Sequence, residues 1–352
     1  MPKAGELSGK VQTVLGPIAP GALGVTLMHE HILIDAGCYF SMPEEASRRA
    51  YVDAPVTMDM LGKLAGFWGT NRDNTRLYGV EQATREVMEY RLEGGCSIVD
   101  TTSIGLARDP LALARISRST GLNIIMGTSY YVALSHPADM DRHSEAQLAE
   151  QIIRDVTAGV GGTGIKAGVI GEVGNTWPPI ANEVKALRAS VQAQRETGAP
   201  ILIHPGFHPD SLSYIVDVLV KAGAPMDQTI IGHLDIFDHK PLKALAKSGC
   251  YLEFDTFNNE DTQFGDVGNQ PFSPPSDVQR MEKVEYLIAE GYEDRVVIAQ
   301  DIFLKQQTVQ YGGKGYAHIL RNMLPRMRKR GFTERQIHKL MVENPARVLT
   351  FR

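Results

Sequence analysis

Cysteine is scarce in this chain of 352 residues. Cys38, Cys96 and Cys250 are the only three, far apart and without a CxxC pair. That excludes a disulfide framework and suits a reducing compartment. Long apolar runs are also missing: none approaches the roughly 18 residues needed to span a bilayer. No lysine- or arginine-rich stretch rivals the short cluster Arg326–Arg330, and the formal charge is −5. Both facts speak against a nucleic-acid-binding surface, and the cluster reads as a solvated helix face. Residues Met1–Lys10 are polar, without the apolar centre of a signal peptide. The expectation is a soluble, cytoplasmic protein.

What the chain does have is alternation. Apolar strand patterns recur at 25–35, 97–101, 123–128, 165–172, 200–204, 229–233, 251–255 and 295–301. Every one after the first is preceded by a helical pattern, and several helices carry their own punctuation. Asp109 caps a helix with Pro110 at its first position, and Ser144 with Gln147 makes a capping box. Gly198, Gly223, Gly249 and Gly291 close four others. Two further helices, at 317–330 and 333–342, complete the set. The pattern predicts an α/β chain, 1–352, folded as one (β/α)8 TIM barrel with an N-terminal hairpin over 1–24. Loop excursions at 37–80, 256–277 and 302–316 follow strand C-terminal ends, where barrel enzymes build active sites. An open, doubly wound sheet is the alternative, since periodicity does not give strand order.

Six metal-competent side chains stand at the ends of the strand patterns: His29, His31, Glu172, His204, His233 and Asp301. His-x-His alone is weak, because 10 histidines in 352 residues give about 0.3 such pairs by chance. Geometry strengthens it: side chains two apart on a strand share a face, roughly 6.6 Å apart, and can converge on one ion. Asp301 ends the last strand, which neighbours the first when a barrel closes. Core histidines bonded to backbone are the competing reading for the pair alone, and they account less well for the joint set.

These residues resemble the phosphotriesterase-related branch of the amidohydrolase superfamily. The matching stretches are Met28-His29-Glu30-His31, GVIGEVG at 168–174, ILIHP at 201–205, IIGHLD at 230–235 and AQDIFL at 299–304. Supporting stretches are GGCSIVDTT at 94–102, YGGKGYAHI at 311–319 and NPAR at 344–347, so the likeness covers essentially the whole chain. Many members bridge two metals with a carboxylated lysine on strand four. Here the only lysine of that strand pattern is Lys166, roughly 20 Å from Glu172 at 3.3 Å per residue, so the resemblance is to the variant bridged by glutamate. Gln300 stands where a histidine often precedes the strand-eight aspartate.

The resemblance implies a binuclear metal-dependent hydrolase. His29, His31 and Asp301 would bind the more buried ion, His204 and His233 the other, and Glu172 would bridge. Zinc is the first expectation, with manganese, cobalt or iron as alternatives. A bridging hydroxide would attack a carboxylic ester, lactone or amide, with Asp301 as the catalytic proton acceptor. Phosphoester hydrolysis, or a barrel that binds a small molecule without catalysis, are the competing readings. Tyr130 and Tyr131 fall where the family places substrate-contacting aromatics, and His208, in the loop after strand five, and Lys305 are further expected substrate contacts. Lys305 and Tyr316 flank a Gly312–Gly315 turn that looks like a mobile lid. His136, His143, His239, His318 and His338 read as solvated or packing residues. A small-molecule substrate is the expected partner, with no nucleic acid and no membrane, and a homodimer stays open.

Overall fold

A strand that is buried on both faces sends alternate residues into two different cores, and this chain does so eight times. The computed structural model describes residues 7–260 and 274–352. The expected N-terminal hairpin is β1 (Val11–Thr13) and β2 (Gly16–Ile18). The first barrel strand is β3 (Thr26–Glu30), and β4 (Ile34–Asp35) pairs antiparallel with β5 (Arg76–Leu77). The other barrel strands are β6 (Ser97–Asp100), β7 (Asn123–Thr128), β8 (Val169–Gly174), β9 (Ile201–His204), β10 (Thr229–Ile231), β11 (Tyr251–Phe254) and β12 (Val296–Ile298). They lie in the order β3-β6-β7-β8-β9-β10-β11-β12, every neighbouring pair parallel. The open doubly wound alternative is therefore excluded.

Met28, Val99, Ile125, Val169, Leu202, Ile230, Tyr251 and Val297 point inward and form one core, joined by Val11 and Leu23. Leu27, Ile98, Ile124, Ile170, Ile203, Leu252 and Ile298 point outward, into the layer shared with the helices. This is the period-two pattern of a filled barrel. The hairpin packs against the starts of β7 and β8: Val14 N–H donates to Ile124 O at 2.9 Å, and a Cβ on Gly168 would meet Gln12 O at 2.1 Å. No helix among the described residues is long and apolar enough to cross a membrane.

β12 and β3 meet through specific bonds. Asp301 N–H donates to His29 O at 3.1 Å, and His31 N–H donates to Ile302 O at 3.0 Å. The buried Glu30 carboxylate accepts from Gln300 N–H and Ile302 N–H, both at 2.9 Å. Strand parity turns Glu30 away from its histidine neighbours, toward the backbone on either side of Asp301.

Four expectations need correction. The first strand pattern is interrupted after Glu30, because Ile32 N–H turns to Asp100 Oδ2 (2.8 Å) instead of continuing the ladder. The fourth begins at Val169, so Lys166 lies ahead of the strand rather than on it. The excursion at 37–80 contains two short helices, Ala46–Arg49 and Leu61–Leu64, and a small core of Val56, Met60 and Leu64. The segment 302–316 is tied down rather than loose. Val309 and Gln310 N–H both donate to Glu86 at 2.8 Å, and Tyr316, buried, donates to His31 O at 2.8 Å. The expected loop at 256–277 falls partly at 261–273, outside the described residues.

Candidate metal centre

All six strand-end donors are buried and converge at the C-terminal end of the barrel. The Glu172 carboxylate lies among four imidazoles. Its Oε1 is 3.5 Å from both His29 Nε2 and His31 Nε2, while its Oε2 is 3.3 Å from His204 Nδ1 and 3.1 Å from His233 Nε2. Asp301 Oδ1 joins the first pair, 3.4 Å from His31 Nε2 and 3.8 Å from His29 Nε2. His29, His31 and Asp301 thus make one group that could hold an ion, and Glu172, His204 and His233 a second. One carboxylate faces both.

Residues behind the imidazoles set which nitrogen faces the centre. His29 Nδ1–H donates to Glu253 at 3.1 Å, and His233 Nδ1–H donates to Asp255 at 2.9 Å. His31 Nδ1 is 3.0 Å from Thr102 Oγ1. Each bond turns an Nε2 toward the centre, the arrangement by which outer groups orient metal-binding histidines. Asp255 also accepts the His233 N–H at 2.8 Å. Gly232 makes room for these acids: a Cβ there would stand 2.8 Å from Asp255 Oδ2 and 3.1 Å from Glu253 Oε2. His233 (φ 52°) and Asp301 (φ 51°) both adopt left-handed backbone. Such conformations cost about 1–3 kcal/mol and collect at functional sites.

The electrostatics ask for positive charge. Burial alone would lower the pKa of His29 and His233, yet Glu172 and Asp255 lift both well above the ordinary value. Against the same burial, Asp301 and Glu172 raise His31 to about 9. Burial would raise Glu172, but the His29 charge and bonds from His204 and His233 hold it well below the usual carboxylate range. Burial pushes Glu253 up to about 8, whereas His233 and His29 hold Asp255 low despite its burial. His204 goes the other way, lowered by burial and by His233; the three raised imidazoles mark a negative potential in which cations can replace protons. His29 Nε2 is buried and has no hydrogen-bond partner, a donor with nothing but the centre to serve. The residues fit divalent cations.

Above the centre opens a cavity of about 620 Å³, walled by His31, Glu172, His204, His233 and Asp301 below and by loop residues around. Of the predicted substrate contacts, Tyr131 lines it. Its hydroxyl is 3.3 Å from His204 Nδ1 and accepts from Tyr39 O–H at 3.0 Å. The other three are not among the described residues that line the cavity. Tyr130 packs against His136, with ring centroids 6.4 Å apart, and His208 stacks on Trp177 at 5.1 Å. Lys305 is paired with Asp73 at 2.6 Å, which fastens the strand-eight loop to the 37–80 excursion. Gln300 is buried outside the cavity wall and braces Gly315 and Ile319. His318 is committed to Asp277 at 2.8 Å and His239 to the Tyr286 ring at 4.2 Å, packing roles as expected.

Sequence reasoning did not single out Glu30, Glu253, Asp255 or the aromatic wall. Asp255 carried a usable signal, since it ends an apolar run just as Asp301 does. The wall residues of 37–80 carried none, because their loop has no period.

Comparison with known proteins agrees with this geometry. Residues 9–349 match the profile of the phosphotriesterase family. An N-acetyltaurine hydrolase of Xenopus tropicalis is 41% identical, over 99% of this chain and 99% of its own. A resiniferatoxin-binding protein from Rhodobacter sphaeroides superposes with TM-score 0.92 at 36% identity, covering 97% of this chain and 95% of that one. A lactonase from Listeria monocytogenes superposes with TM-score 0.77 at 25% identity, covering 97% and 99%. Sequence profile, relatives and backbone agree, and the chain belongs to the phosphotriesterase family.

Proposed function

We propose that this barrel hydrolyses carboxylic amides and esters, lactones included, with two divalent cations, zinc first among them. The observation that carries the reading is Glu172, whose two oxygens each face a histidine pair at 3.1–3.5 Å beneath an open cavity. His29, His31 and Asp301 would hold one ion, His204 and His233 the other, and Glu172 would bridge. All-nitrogen-and-oxygen donors of this kind suit Zn²⁺ and also Mn²⁺, Co²⁺ or Fe²⁺. The relative named for N-acetyltaurine hydrolysis supports an amide bond, and the neighbour named a lactonase supports an ester. Three unpaired cysteines support a cytoplasmic setting.

Bound there, such ions supply a water with its pKa lowered toward about 7 and a Lewis acid for the carbonyl oxygen. The protein's own residues do the rest. Asp301, in the cavity wall and 3.4 Å from His31, would accept the attacking water's proton and deliver it to the departing nitrogen or oxygen. Asp255 and Glu253 hold His233 and His29 by Nδ1–H, so neither ring can turn. The Tyr131 hydroxyl, which accepts from Tyr39, is a neutral polar group in the cavity wall, 3.3 Å from His204 Nδ1.

The test is a panel of amides, esters, lactones and phosphotriesters, run on chelator-stripped protein and on protein reloaded with Zn²⁺ or Mn²⁺. Hydrolysis of carbonyl compounds that vanishes with the metal and returns with it is the expected result. Phosphotriester turnover alone would support the phosphoryl reading. Full loading with no turnover of any class would support a small-molecule-binding barrel.

A further inference from the structure

Beyond the metal centre, the described cavity wall carries many rings and no lysine or arginine. Tyr39, Phe67, Trp68, Trp177, Phe207 and Phe303 all line it, and its polar side chains beyond the metal centre are neutral, such as Ser41, Asn175 and Thr256. No lysine or arginine lines it among the described residues. The sequence between Glu260 and Pro274 holds neither residue. Cations behind the wall are paired with acids: Arg48, 3.2 Å over the Phe67 ring, is 3.2 Å from Glu45. Lys305 is bound to Asp73, Arg76 to Asp35, and the buried Arg280 sits behind Thr256, between Asp277 (3.0 Å) and Asp235 (3.4 Å).

A substrate arm that lies against this wall, away from the metal centre, is taken out of water without a counter-charge. For an apolar arm that transfer is favourable in proportion to the area covered. For an anion it is costly, because nothing replaces the lost hydration. Rings in the wall also offer edge-to-face contacts to an aromatic arm, which adds to area burial. We propose that the cavity selects uncharged amides or esters whose arm beyond the scissile carbonyl is apolar, aromatic arms above all. It disfavours arms ending in an anion. N-acetyltaurine, which carries a sulfonate and gives the 41%-identical relative its name, is then a poor substrate of this protein. The proposal rests on the reading of this cavity as the site of acyl hydrolysis, and it concerns the wall rather than the metal centre.

The chain has two tryptophans, Trp68 and Trp177, and both line the cavity, so intrinsic fluorescence reports on its occupancy. Two amides of matched length, N-acetylphenethylamine and N-acetyltaurine, differ at the arm's end by phenyl against sulfonate. Their methyl ketone analogues, with CH2 in place of NH, bind without being cleaved. Titration of the metal-loaded protein should show the phenyl ketone binding about a hundredfold more tightly than the sulfonate ketone. The amides should follow the same order in kcat/KM. Equal or tighter binding of the sulfonate ketone would overturn the proposal, and so would no fluorescence response to either ketone. Should the ketones bind in the expected order while neither amide is cleaved, the selectivity stands and the hydrolase reading falls. Preferred cleavage of N-acetyltaurine would sink the selectivity and leave hydrolysis intact.

Discussion

Glu30 lies between two proposed metal ligands and grips the strand that carries a third. Its carboxylate takes the N–H groups of Gln300 and Ile302, on either side of Asp301, both at 2.9 Å and both buried. Glu30→Ala leaves two buried N–H groups without acceptors, each costing about 1–3 kcal/mol, so about 4 kcal/mol together. Unfolding entropy of about 2.1 cal/mol/K per residue over 352 residues comes to about 0.74 kcal/mol/K. Dividing one by the other gives a fall in melting temperature of about 5 °C. Differential scanning calorimetry at a fixed scan rate, with and without added metal, measures it. The same change frees the Asp301 backbone, so kcat/KM should fall at least about tenfold, or about 1.4 kcal/mol. A melting temperature within about 1 °C of the parent, with activity kept, would show that the clamp does not matter.

Asp301→Asn should lower kcat far more than metal content, because asparagine keeps a neutral oxygen but carries no proton; the loss should be least for acidic leaving groups. A uniform loss across leaving groups, with metal retained, would leave Asp301 a ligand only. Glu172→Lys should lose metal occupancy and at least about tenfold in activity, since the longer side chain does not match this backbone; a fully active, fully loaded variant would remove Glu172 as the bridge. Asp255→Asn keeps only one oxygen for the His233 N–H and Nδ1–H bonds, so metal affinity measured against a competing chelator should fall about 10–100-fold. Unchanged affinity would mean the imidazoles hold their orientation without it.

The fold was legible because alternating strand and helix patterns admit few closures, and strand order then follows chain order. The six donors were legible because each ends an apolar run, and in a closed barrel such ends share one rim. Strand ends were read too far at 229–233 and 295–301. The ladders stop at Ile231 and Ile298, before His233 and Asp301 turn into left-handed backbone that no hydropathy pattern signals. Glu30 passed as a spacer because its parity opposes that of its neighbours, and the bonds it makes come from residues 270 and 272 positions away. Tyr130 and Tyr131 were paired by proximity in sequence, but only Tyr131 lines the cavity. The wall formed by Tyr39, Phe67 and Trp68 depends on how the 37–80 excursion folds over the barrel. That course follows from tertiary bonds such as Lys305–Asp73 and Asn74–Gln306 rather than from local propensity.

The central claim is that one glutamate joins two ion sites. Elemental analysis of protein stripped with chelator, reloaded with Zn²⁺ and freed of excess metal tests it most directly. About two ions per chain are expected for the parent, each set of three donors holding one with Glu172 shared. A single ion at saturation, or none, would contradict the binuclear arrangement whatever the activity proved to be.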